Sequence, residues 1–163
     1  MDLKEIVSGF ASRTANGVEI NLKALARDQE FRTEVIKEVT KGLGSPAPCV
    51  VIPAYDSGSA ENHLGSLINE LALTLQVKTL VTGDVKNFKR LKTHPKQVLI
   101  IKQSFRTGNG LQKQIAELKE LGAADVRVLC FIAHNTGRMQ GFGHENNVTI
   151  DALVKTDEMR YLQ

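Results

Sequence analysis

Two rhythms of apolar residues alternate along this chain. Short, mostly apolar runs occur at 49–52, 77–82, 98–101 and 126–133, the pattern of strands buried on both faces. Between them, apolar residues recur at helical spacing. Phe31, Val35, Val39 and Leu43 follow Asp28, a residue suited to capping a helix N-terminus. Gly42, Gly44, Pro46 and Pro48 then stop that helix. Leu64, Leu67, Ile68, Leu71 and Leu75 form a second stripe, and Leu111, Ile115, Leu118 and Leu121 a third that ends at Gly122. Residues 18–22 alternate apolar and polar, as in a half-buried strand. The residues before them, with turn signals at Ser8-Gly9 and Asn16-Gly17, read as irregular. The glycine-rich segment 137–144 reads as a loop between the last strands.

Buried strands alternating with amphipathic helices specify an α/β fold: a mainly parallel, twisted sheet flanked by helices. In such sheets ligands bind beyond the carboxyl ends of the strands. Two loops are placed there, 53–59 and 102–110. The length of 163 residues suits one domain spanning 1–163. Hydrophobic residues at 42% and charged residues at 24% exclude a disordered, collagenous or disulfide-dense chain. No apolar run is long enough to span a bilayer and the N-terminus has no signal-peptide core, so a cytoplasmic protein without a membrane partner is expected. Cys49 and Cys130 both sit in apolar runs and are expected to be inert core thiols.

Charge changes the picture. Residues 78–106 carry +7, whereas the rest of the chain carries −4. Such a concentrated positive field suits an anionic partner: phosphate, nucleotide or nucleic acid. The turn Thr107-Gly108-Asn109-Gly110 joins a strand to a helix, so its backbone N–H groups and the helix N-terminus can converge on an oxyanion beside Arg106 and Lys102. No Walker-type or dinucleotide glycine motif occurs. His63, His94, His134 and His144 have no metal-ligand spacing and read as ordinary polar or surface histidines.

The segment 98–111 resembles the phosphoribosyl-diphosphate signature of type I phosphoribosyltransferases: an apolar strand, two acids, two mostly apolar residues, then a Thr/Gly-rich turn opening a helix. Upstream, Ser8-Gly9, the strand at 18–25 and Asp28–Arg32 are similar to the start of the orotate branch. The resemblance implies a hood at 1–26 and a pyrophosphate loop at Ala54, Tyr55, Asp56, Ser57 and Gly58. It also implies a basic lid at 84–97 carrying Lys86, Lys89, Arg90 and Lys92, and a 5′-phosphate site at Arg106, Thr107, Gly108, Asn109 and Gly110. It further implies a homodimer and, in an active member, Mg²⁺ as cofactor. The chain departs from the pattern where the family has two adjacent acids that bind the ribose hydroxyls, because here stand Lys102 and Gln103.

Three functional readings follow. In the first, the chain is a degenerate relative that binds a phosphorylated small molecule or nucleotide with little transferase activity. In the second, it is an active orotate-type transferase whose lid lysines neutralise charge developing on the leaving group. In the third, segment 78–106 serves a nucleic-acid-binding or regulatory module. Phe88 is the sole aromatic of the lid, fewer than base-stacking platforms use. The charge reversal at Lys102 and Gln103 favours the first.

Overall fold

The computed structural model describes residues 2–42, 50–54, 65–74, 78–79 and 97–159. The chain opens not irregularly but with helix α1 (Leu3–Ser8) and an antiparallel hairpin, β1 (Ala11–Thr14) and β2 (Gly17–Ile20). Asp2 caps α1 through the Glu5 amide, and the Glu5 carboxylate accepts in return from the Asp2 amide, at 2.9 and 3.2 Å. The alternation at 18–22 breaks after Ile20, because Asn21 caps a short helix, α2 (Leu22–Leu25).

Helix α3 (Gln29–Gly42) begins where expected, with the Asp28 Oδ1 accepting from the Phe31 amide at 2.7 Å. Strand β3 (Val50–Pro53), helix α4 (Gly65–Thr74) and the two-residue β4 (Lys78–Thr79) follow. Leu43 and Cys49, with most of the expected strand at 77–82, lie outside the described residues. The C-terminal half is β5 (Gln97–Phe105), α5 (Asn109–Glu120), β6 (Asp125–Ala133), α6 (Thr136–Asn146) and β7 (Thr149–Lys155), closed by a 3₁₀ turn at Thr156–Glu158.

The strands order as β4-β3-β5-β6-β7, and every pair is parallel. Progress along the sheet reverses between β3 and β5, the switch point at which α/β sheets open a crevice. Two cores sandwich the sheet. On one face, Phe31, Val35 and Val39 of α3 pack with Leu67 and Leu71 of α4 and with Leu3, Ile6 and Val7 of α1. Helix α1, within the segment expected as a hood, is thus part of the central packing. On the other face, Leu111, Ile115 and Leu118 of α5 pack with Met139 and Phe142 of α6. An ion pair of 2.8 Å between Arg32 and Glu70 ties α3 to α4. Lys119 Nζ ties α5 to the end of α6 by donating to the carbonyls of Asn146 and Asn147 at 2.8 and 3.0 Å.

Segment 137–144, expected as a loop, lies within α6. Three glycines lower its helix propensity, but the Asn135 side chain accepts from the Arg138 amide at 3.0 Å and starts the helix. Met139, Phe142 and Gly143 then bury one face of it. Two of those glycines have opposite environments. A Cβ on Gly143 would lie 2.8 Å from Ile150 Cγ2 and 3.1 Å from the Val148 carbonyl oxygen, whereas one on Gly141 meets nothing within 4 Å. Alanine gains about 1 kcal/mol over glycine in a helix interior, and overpacking costs about 1–3 kcal/mol. Gly141→Ala should therefore raise the urea midpoint and Gly143→Ala should lower it, two residues apart in one helix.

Candidate functional site

Strand β5 is longer than its apolar run. It continues through Lys102, Gln103, Ser104 and Phe105, so the loop expected at 102–110 begins only at Arg106. These residues stay in the sheet because β6 pairs with the strand to its last residue: Lys102 lies opposite Cys130, Ser104 opposite Ile132 and Phe105 opposite Ala133. Lys102 and Gln103 are consequently buried, at 5% and 9% exposure. Burial lowers the proton affinity of the Lys102 amine, with Cys130 acting weakly the other way. Burial also pushes the Cys130 thiol up to about 12, against Lys102 and with a further push from Asp151. That thiol is an inert core residue, as expected.

The turn beyond Phe105 has a local logic. Arg106 and Thr107 are exposed, and Gly108 adopts φ 76° and ψ 12° as the N-cap of α5, with no side chain capping the helix. Helices α1, α2, α3 and α6, by contrast, all begin on an Asp or Asn side chain that accepts a backbone N–H. Helix α5 thus presents its first-turn N–H groups and positive dipole end beside Arg106. The glycine serves packing as well as conformation. Phe105 and Phe142 meet edge to face with centroids 5.5 Å apart. A Cβ on Gly108 would lie 2.7 Å from the Phe142 ring and 2.9 Å from the Phe105 ring.

A neighbour that sequence reasoning passed over stands next to this turn. The His134 amide donates to the Phe105 carbonyl at 3.1 Å, which sets His134 abreast of Arg106 at the ends of adjacent strands. His134 is partly buried rather than an ordinary surface histidine. Burial, and secondly the Arg106 charge, lower its pKa to about 4, against a smaller opposing pull from Asp157. The Asp157 Oδ2 accepts from the Thr136 amide at 3.3 Å. Burial opposes ionisation of Asp157, but hydrogen bonds from the Thr136 side chain and from backbone amides hold its carboxyl below the ordinary value. The one available signal for this grouping was positional: His134 directly follows a core strand, where α/β sheets place their ligands.

Of the other expected site residues, Ala54 is buried and its amide donates to the Ile101 carbonyl at 2.9 Å, which brings the end of β3 against β5. Tyr55, Asp56, Ser57 and Gly58 lie outside the described residues, as do Lys86, Lys89, Arg90 and Lys92. Among the described residues no group of three or more His, Cys, Asp or Glu side chains could hold a metal ion, and no helix is long and apolar enough to cross a membrane.

No family model and no curated protein matches the chain. Solved structures do. Orotate phosphoribosyltransferase from Aeropyrum pernix superposes with a TM-score of 0.66 at 17% identity, over 96% of each chain. Adenine phosphoribosyltransferase from Leishmania donovani gives 0.68 at 12% identity, over 96% of this chain and 81% of its own. The orotate phosphoribosyltransferase of Mycobacterium tuberculosis H37Rv in complex with 5-phospho-α-D-ribosyl 1-diphosphate gives 0.64 at 12% identity, over 96% and 89%. The chain has the type I phosphoribosyltransferase fold.

Two outcomes follow from this geometry. Gly108→Ala combines a left-handed residue, costing about 1–2 kcal/mol, with an overpacked aromatic pair costing about 1–3 kcal/mol, so it should destabilise by about 2–5 kcal/mol in urea melts. That loss of fold makes it unsuitable as a probe of ligand contact. His134 titrates at about 4 in the folded chain against an ordinary 6.5, so the unfolded chain binds more protons between those values. Stability should fall as pH drops through this window, and His134→Gln should lose less over the same interval.

Proposed function

We propose that this chain binds the phosphate group of a sugar phosphate or 5′-nucleotide at Arg106, Thr107, Gly108, Asn109 and Gly110, without Mg²⁺ and with little transferase turnover. The observation that carries the reading is the start of α5. A helix with no side-chain cap, opened by a left-handed glycine and flanked by an exposed arginine, has N–H donors and a dipole suited to an anion. The bound phosphoribosyl diphosphate of the Mycobacterium enzyme, on the same fold, supports this class of ligand.

The end of β5 argues against the magnesium-dependent version. Lys102 offers nitrogen and Gln103 a neutral amide, whereas Mg²⁺ takes oxygen donors and is usually anchored by carboxylates. A vicinal diol needs acceptors for its hydroxyl protons, and a protonated Lys102 provides none. The residues at this point do not fit the cation that the resemblance implies.

Titration calorimetry with inorganic phosphate, 5′-nucleotides and phosphoribosyl diphosphate, each with and without Mg²⁺, tests the reading. Phosphate and nucleotides should bind with equal affinity in both conditions. Arg106→Gln, an exposed change, should weaken binding about tenfold, the size of one lost charge-assisted hydrogen bond. Turnover of orotate that depends on Mg²⁺ would instead establish an active transferase.

A further inference from the structure

The pairing of Arg106 with His134 is not explained by phosphate binding alone. The two residues lie just beyond the ends of adjacent strands, and the Phe105 carbonyl, immediately before Arg106, accepts from the His134 amide. The hydrogen bond fixes the two backbones side by side where the sheet ends. The charged groups acting on the imidazole come from two elements: Arg106 at the end of β5, and Asp157 in the turn after β7. Asp157 is held in place by the Thr136 amide at the start of α6. In the ligand-free chain, partial burial and the nearby guanidinium both oppose a positive imidazole.

An oxyanion on Arg106 inverts this balance. Its negative charge offsets the guanidinium that acts on the imidazole. We propose that His134 is the proton-coupled partner of the phosphate loop: anion binding at residues 106–110 draws a proton onto the His134 imidazole, and the site binds more tightly as pH falls. The inference rests on the phosphate-site reading and adds a residue and a regulation to it. The proton comes from solvent and no covalent bond changes. Linkage requires the converse as well, so protonation of His134 must raise affinity by the same factor by which the anion favours protonation.

Sulfate is the probe, because its charge is constant over the range in which histidine titrates. Calorimetry on the full chain from about pH 8 down to about pH 5 should show sulfate affinity rising about twofold, because a ligand-free value of about 4 raised by about one unit leaves the bound imidazole half-protonated at about pH 5. His134→Gln should bind sulfate at a pH-independent affinity close to the value of the unmodified chain near pH 8. A second measurement needs no variant. The carbon-bound ring protons of His134, followed by NMR, should titrate at least one pH unit higher in saturating sulfate than without it. Arg106→Gln should raise the ligand-free value by itself. If sulfate binds with the same affinity at every pH and the His134 titration does not move, the coupling is overturned and the phosphate site stands. If sulfate does not bind at any pH, the phosphate site and the coupling both fall.

Discussion

Strand β5 is buried on both faces from Val98 through Gln103, and the rest of the molecule is arranged around that condition. It is paired on both edges, with β3 and with β6, and covered by α3 and α4 on one side and α5 on the other. A central parallel strand of this kind must be apolar on both faces for most of its length, and Val98, Leu99, Ile100 and Ile101 satisfy that. The pairing with β6 then carries the strand four residues beyond its apolar run. Lys102 and Gln103 are buried because the sheet continues, not because a side chain sought the interior. A buried ammonium is costly, and the cost appears as a weakened hold on its proton. The topology of the sheet thereby sets the electrostatics at the end of its central strand.

The same continuation fixes what lies above the strand. Phe105 ends β5 and meets Phe142 of α6 edge to face, and both rings close over the position of Gly108. Packing alone therefore requires a glycine there. The chemistry of the candidate site has to be read elsewhere in the turn, from the absence of a capping side chain on α5 and from the charge of Arg106 beside the neutral His134.

Much of the fold was legible in the chain because its signals are strong and local. The apolar run at 98–101, the stripes of α3 and α5 and the cap at Asp28 each reflect burial or hydrogen bonding within one element. The missed elements had contrary local signals. Helix α6 contains Gly137, Gly141 and Gly143, and low propensity outweighed the cap at Asn135 and the spacing of Met139 and Phe142. Helix α1 carried a readable reciprocal cap, Asp2 with Glu5, masked by the turn signal at Ser8-Gly9. The candidate site was legible only along one contiguous turn. Arg106 through Gly110 are contiguous and could be picked out, whereas His134 joins them through a hydrogen bond between strands that sequence spacing does not encode.

Lys119 gives the two helices behind this site a common frame. One ammonium holds two carbonyls at the far end of α6 from a position near the end of α5, while the Phe105–Phe142 contact joins β5 to α6 near the ligand end. Helices α5 and α6 are thus tied to each other and to β5 at separate points along their length. For the anion site proposed at the start of α5, such a frame means preorganisation: little conformational entropy would remain to be lost on binding.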